Sequence, residues 1–344
     1  TEDIVYKALE FVQEIDSDKI VNLSDELAIR YTDAGHILLS KQCEVYINGG
    51  SHTRKILFSS DLGNIATQDT RVFVEDFKPV SSANIAIMEC TYCSKERQCT
   101  KETYKKDIEK IKSVIEQYCV DNNARVLIPS FSLDRTPYIL WILYSLFGKD
   151  ENFKVPILID SPLANRLLDC YSSILEENKK ELFDQMMSWK NIQRIIHPED
   201  SKAAIADKGA KIVLSSSGML TAGRSIKWTQ SILPRESDCI LFMGYSGEDI
   251  LAWKIKHGKD NKTININGKP FKNKAQIYDL KSFSSHMQRQ NMINYYKSIN
   301  CEKIYLVHGD SNKIEFKHDL EDAISDCLKS TKVIAVNSGT KISL

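Results

Sequence analysis

The 344-residue chain has no run approaching the ~18 consecutive apolar residues that a membrane-spanning helix requires. Its opening residues, TEDIVYKALE, have neither the basic stretch nor the apolar segment of a secretory signal. These absences predict a soluble, cytoplasmic protein with no membrane partner. An excess of charge is also missing: 46 Lys+Arg balance 46 Asp+Glu. No global field therefore draws the chain to a polyanion, and any nucleic-acid site must be a local concentration of charge. Repeats, low-complexity tracts and Pro- or Ser-rich linkers are absent, so a domain boundary is expected as a compact double crossing. The Walker A pattern is absent as well, which disfavours that class of nucleotide hydrolase. The nine cysteines are odd in number and scattered from Cys43 to Cys327, which does not suit the disulfide framework of a small secreted domain.

What is present is globular in composition, 42% hydrophobic and 27% charged, in a length that suits two structural units. From about residue 103 onward, strand-length apolar runs alternate with amphipathic segments, the signature of a layered α/β architecture. The expected strands are Arg125–Pro129, Val155–Asp160, Lys211–Ser215, Cys239–Gly244, Lys303–His308 and Lys332–Val336. Their nearly continuous apolar character predicts a mostly parallel sheet covered by helices on both faces. Tyr104, Ile108, Ile111, Ile115 and Tyr118 recur at helical spacing and predict a helix over 104–118. Earlier in the chain, Glu44–Ile47 and Arg54–Phe58 flank the turn Asn48-Gly49-Gly50-Ser51 as a hairpin, and Asn84–Met88 is a third apolar run. A second boundary is expected near Lys274–Tyr278.

Seven histidines occur, and four of them, His52, His197, His257 and His318, read as solvated surface. The other three, His36, His286 and His308, sit where a strand or loop gives way to a Gly- or Ser-rich turn, the edge of a sheet where α/β proteins place their sites. Asp61 and Glu89 similarly end apolar runs, where a carboxylate is costly to bury without a cation or hydrogen-bond donors. Taken singly, each of these five residues also fits a bland reading, a hydrogen-bonded imidazole or a solvated carboxylate. Together they suit zinc or proton transfer. The loop from Ser215 to Arg224, including Ser216, Ser217 and Gly218, follows a strand and precedes a helix, a setting for a phosphate as well as for a tight turn. Cys90-Thr91-Tyr92-Cys93 has the spacing of a redox pair or half a zinc site, against plain buried thiols.

In order along the chain, His36, Ser59-Ser60-Asp61-Leu62-Gly63-Asn64, Met88-Glu89-Cys90-Thr91-Tyr92, Pro129-Ser130-Phe131-Ser132 with Arg135, and Asp160-Ser161-Pro162-Leu163-Ala164 are followed by Ser217-Gly218-Met219-Leu220, Phe283-Ser284-Ser285-His286 and Leu306-Val307-His308-Gly309. This series resembles the metallo-β-lactamase-fold nucleases of the β-CASP family over essentially the whole chain. The resemblance implies an αββα sandwich, with its N-terminal part incomplete, built from residues 1–89 and 279–344. A β-CASP α/β domain over 90–278 would be inserted in it. It also implies a zinc-dependent ribonuclease acting in RNA processing or decay, by endonucleolytic or 5′-exonucleolytic cuts, on single-stranded RNA held between the two units. A homodimer is admitted. Carried over residue by residue, His36 would ligate the first zinc, Asp61 would bridge two and His308 would ligate the second. His286, held by Glu89, would protonate the departing oxygen, and Ser216, Ser217, Gly218, Arg224 and Ser285 would contact phosphate. His308 at its position looks like the RNA-directed branch.

The family's His-x-His-x-Asp-His motif has no counterpart in the sequence, leaving three of seven expected ligands. Three explanations follow: the chain is a fragment, it is a noncatalytic RNA-binding or scaffolding subunit, or a separate polypeptide completes its site. In each case this polypeptide alone is expected not to cut RNA. Met287-Gln288 and Cys93 are smaller departures from the family's usual residues. A hydrolase of a small ester or thioester is the remaining alternative.

Overall fold

The computed structural model describes residues 2–50, 52–94, 99–244, 246–248, 250–258, 262–309, 314–328 and 330–342. In chain order its strands are β1 (Ile20–Asn22), β2 (Leu27–Asp33), β3 (Lys41–Gly49), β4 (His52–Phe58), β5 (Ile85–Glu89), β6 (Arg125–Pro129), β7 (Ile157–Ile159) and β8 (Ile192–Arg194). They continue with β9 (Lys211–Ser215), β10 (Cys239–Met243), β11 (Thr263–Ile266), β12 (Lys269–Lys272), β13 (Gln276–Leu280), β14 (Lys303–Val307) and β15 (Lys332–Ala335). The chain divides into two compact units. One comprises Thr1–Gln68, Val74–Gln98 and Ser285–Leu344, and the other Asp69–Phe73 and Cys99–Ser284.

The first unit is built on a seven-stranded sheet in the order β1-β2-β3-β4-β5-β14-β15. Its first four strands are antiparallel, and β3 and β4 form the expected hairpin, with Gly50 at φ +65° where a side chain would be strained. Ser51 of that turn lies outside the described residues. Strands β4, β5, β14 and β15 are parallel. Because side chains alternate along a strand, Leu57, Ala86, Met88, Ile304, Leu306 and Val333 share one face. There they pack with Met292, Tyr295 and Tyr296 of the helix Arg289–Ser298 and with Leu320 and Ile324 of the helix Ile314–Ser325. Ile56, Ile85 and Tyr305 lie on the opposite face with Val336 and the half-buried Val45, Ile87, Val307 and Ile334. The parallel register sets Phe58 opposite Ile87 and Glu89 opposite Val307. The C-terminal tips of β4, β5 and β14 therefore lie side by side.

The second unit carries an all-parallel six-stranded sheet, β13-β10-β6-β9-β7-β8, and a separate ribbon of β11 and β12. Val126, Leu127, Ile128, Ile212, Val213 and Ile240 are fully buried, as the continuous apolar runs predict for a sheet covered on both faces. Two structural features shift the bounds of this unit from the expected 90–278. Residues 276–280 form an edge strand paired with β10, so the chain leaves this unit only after Ser284. Cys90, Tyr92 and Cys93 pack in the core of the first unit instead. The helix expected over 104–118 begins at Lys101 because Thr100 caps it: its hydroxyl accepts from Thr103 N at 3.2 Å and the Thr103 hydroxyl accepts from Thr100 N at 2.8 Å. The apolar periodicity starts one turn later and misses this first turn.

Candidate metal centre

At the tips of β4, β5 and β14 the chain turns sharply. Ser60 and His308 adopt φ of +52° and +55°, left-handed values that non-glycine residues seldom take, and Gly35 has φ +69°. Gly63 approaches Gly35 so closely that a Cβ at Gly63 would lie 2.1 Å from the Gly35 carbonyl oxygen. Gly63 N also donates to Ala34 O at 2.8 Å. A β-bridge joins Gly63 to His286, with Met287 N on Leu62 O and Asn64 N on Ser285 O, both at 2.8 Å. These backbone contacts bring His36, Asp61 and His286 together from segments remote in sequence.

One ligand atom from each of His36, Asp61 and His286 lies within 4.8 Å of the others. The two oxygens of Asp61 face different imidazoles: Oδ1 is 3.0 Å from His308 Nδ1, and Oδ2 is 3.8 Å from His36 Nε2. The rings of His36 and His286 are 4.4 Å apart, and those of His286 and His308 6.1 Å apart. All five residues singled out from the sequence meet here, with His286 inside the three-residue donor group and His308 paired to Asp61 beside it. Imidazole nitrogens with a carboxylate match zinc's usual ligand chemistry.

Glu89, 1% exposed, is held from several sides. Its Oε1 accepts from Leu62 N at 2.8 Å and lies 3.2 Å from His286 Nδ1, while Oε2 accepts from Thr91 N at 3.0 Å. Burial pushes its carboxyl up, but the hydrogen bonds to His286, Thr91 and Leu62 outweigh it and hold it below the ordinary glutamate value. Asp61 is likewise held low, chiefly by its hydrogen bond to His308, and the same bond raises His308. Thr91 joins the two: its hydroxyl donates to His308 O at 3.2 Å and lies 3.3 Å from His308 Nδ1. Tyr296 donates from its hydroxyl to Glu89 O at 2.5 Å. Thr91 lies inside Met88-Glu89-Cys90-Thr91-Tyr92 and Tyr296 in an ordinary helical pattern, and neither pattern signals these contacts.

The serine-rich loop belongs to the second unit. Ser217 Oγ accepts from Thr221 N at 2.9 Å and Ala222 N at 3.3 Å, and Ser216 Oγ is 2.8 Å from Ser132 Oγ. Gly218 packs on the backbone of Ser130 and Phe131, and at Gly223, φ +81°, a Cβ would meet Ser216 O at 2.3 Å. Arg224 is engaged elsewhere: its Nη1 reaches Asp160 Oδ1 at 2.6 Å and Ile195 O at 3.1 Å, and its Nη2 donates to Ile196 O at 2.8 Å. Fully buried Asp160 also accepts from Ser201 and from Trp228 Nε1. The guanidinium expected at a phosphate therefore neutralises a buried carboxylate that the sequence alone did not pair with it. Ser285 lies in the first unit, buried beside His286.

A family model described as the Beta-Casp domain matches residues 136–255, and one described as a Zn-dependent metallo-hydrolase RNA specificity domain matches residues 272–325. Among curated proteins, ribonuclease TTHA0252 of Thermus thermophilus is 26% identical over 294 residues, covering 84% of this chain and 64% of that protein. Transcription termination factor FttA of Methanocaldococcus jannaschii is 25% identical, covering 94% of this chain and 51% of its own length. Integrator complex subunit 11 of Danio rerio is 23% identical, with 93% and 51% covered. The chain thus spans about half to just under two thirds of these relatives. Both domain matches and the relatives aligned along most of the chain accord with the convergent strand tips described above and support a β-CASP protein of the metallo-β-lactamase fold.

Proposed function

We propose that this chain supplies the proton-donating half and part of the metal-binding half of a zinc-dependent ribonuclease that hydrolyses single-stranded RNA. The observation that carries the reading is Asp61, whose two oxygens face His36 on one side and His308 on the other, as a carboxylate shared between two ions would. When bound, a zinc pair supplies a water acidified toward neutral pH and offsets charge developing at phosphorus. The chain's own residues do the rest. His36, Asp61 and His308 hold metal. His286, oriented by Glu89 at its Nδ1, gives a proton to the departing oxygen, a transfer for which an imidazole is suited near neutral pH. Ser217, Gly218 and Ser285 contact the RNA backbone, while Arg224 anchors the serine loop through Asp160.

Among the described residues these ligands fall short of a complete two-metal centre, so cleavage is assigned to the product of the complete gene and not to this chain alone. The test is a zinc count and a single-stranded RNA cleavage assay on that product, with His286→Ala beside it. Close to two zincs per chain and cleavage lost in His286→Ala with the zinc retained are the expected results. Zinc lost with His286 would make it a ligand and reject the acid role. RNA binding with neither zinc nor cleavage would place the protein among noncatalytic subunits.

A further inference from the structure

Cys90 and Cys93 differ from the other thiols in lying on one turn. Cys93 N donates to Cys90 O at 3.2 Å, closing the turn, and the Cys90 thiol donates to Val307 O at 2.9 Å. Such a turn keeps its end Cα atoms within about 7 Å, compatible with the ~4.4–6.8 Å that disulfides span. The surroundings are cationic. Lys317, 4% exposed, packs with Cys90 against Gly309, where a Cβ would lie 2.7 Å from Cys90 Sγ and 2.8 Å from Lys317 Cε. The Arg289 guanidinium donates to Cys93 O. The neighbouring Cys90 thiol, with the charges of Arg289 and Lys317, holds the Cys93 thiol below its ordinary value and so favours the nucleophilic thiolate. The residues enclosed by the turn carry the candidate centre: Thr91 binds Glu89 through its amide and His308 through its hydroxyl.

We propose that Cys90 and Cys93 are a reversible redox pair that closes a disulfide across this turn when the protein meets a hydroperoxide. Cys93 sulfur attacks the peroxide, giving a sulfenic acid and, for hydrogen peroxide, one water. Cys90 sulfur then displaces the sulfenic oxygen, which leaves as a second water with the remaining thiol proton. Two thiols are oxidised by two electrons and one peroxide is reduced to two waters. A water-sized oxidant suits a pair of which Cys90 is 0% and Cys93 3% exposed. A dithiol reverses the step by exchange. Closure tightens the turn carrying Thr91 and so loosens its hold on Glu89 and His308; this last consequence rests on the reading proposed above, whereas the disulfide does not.

The experiment treats the native protein with hydrogen peroxide, quenches it by denaturing alkylation and maps peptides by mass spectrometry. Expected is a loss of two hydrogens linking Cys90 to Cys93, reversed by dithiothreitol. In Cys90→Ser a dimedone-type probe should trap Cys93 as sulfenic acid, and Cys93→Ser should leave Cys90 unmodified. The proposal is overturned if both thiols stay alkylatable at peroxide doses that oxidise the exposed Cys170 and Cys327, or if Cys93 passes to sulfinic acid with Cys90 still free. The wild-type map decides the matter even where a variant fails to fold. Zinc titrated into the oxidised protein should bind about 10-fold or more weakly than into the reduced protein, the order seen when outer-shell partners of a metal site are lost. An unchanged zinc affinity beside a mapped disulfide would leave the redox pair standing and refute its link to the centre.

Discussion

Glu89 Oε1 sits 3.2 Å from His286 Nδ1, and the same buried carboxylate accepts two backbone amides, Leu62 N and Thr91 N. One side chain thus orients the imidazole and joins the turn after β5 to the turn after β4. A neutral replacement keeps the shape but presents an NH2 group to at least one of those donors. Glu89→Gln is therefore expected to lower stability by about 1–3 kcal/mol, the penalty for a buried donor left unmatched. Urea unfolding measures it, and a midpoint unchanged from wild type would show that the carboxylate is replaceable.

The Asp61–His308 pair gives a pH signature that needs no metal. His308 is raised by its hydrogen bond to Asp61, so its proton persists in the folded protein to a pH above the unfolded value of about 6.5. The stability it contributes is fully present below that unfolded value and is lost as pH rises through the folded one. In Asp61→Asn the His308 pKa should fall toward the ordinary value. NMR titration of the imidazole resonances in metal-free protein reads this, and a pKa unmoved by the substitution would mean that another group raises it. Because metal needs the neutral ring, zinc uptake at His308 should weaken as pH falls through the same raised value.

Gly63 stands where Asp61 and His36 are brought together, with the Gly35 carbonyl in the place a Cβ would take. Gly63→Ala must push the two segments apart. The expected destabilisation is of order 1–3 kcal/mol, as for overpacking elsewhere, with weaker metal uptake alongside. Thermal unfolding and a chelator competition report the two effects, and a variant as stable as wild type would mean the contact yields easily.

Arg224 and Asp160 form a pair in which the carboxylate is fully buried. Arg224→Ala leaves that carboxylate short of its cation and should cost about 3–5 kcal/mol. Double substitution with Asp160→Asn should recover part of the loss, because the uncompensated charge is then gone. If Arg224→Ala instead weakened RNA binding with stability unchanged, the arginine would be a phosphate contact and not an anchor.

Much of the architecture was legible because it follows from local pattern. The nearly continuous apolar runs at 125–129, 211–215 and 239–243 are β6, β9 and β10 of a covered parallel sheet, where such apolar character is a direct consequence of burial on both faces. Strand β13 escaped because it lies at the sheet's edge and keeps polar positions, the exposed Gln276 and the half-buried Asp279. The same edge position moved the expected boundary from 278 to 284.

By itself the sequence determined which residue types stand at strand ends, His36, Asp61, Glu89, His286 and His308, since a polar side chain after an apolar run is visible in one dimension. Which of them meet was decided by tertiary structure alone: parallel register aligns the tips of β4, β5 and β14, and the Gly63–His286 bridge adds a segment more than 200 residues away. The partner of Arg224 was likewise settled only in three dimensions. A guanidinium goes to the charge whose burial would otherwise be most costly, and burial belongs to the folded chain and not to its order of residues.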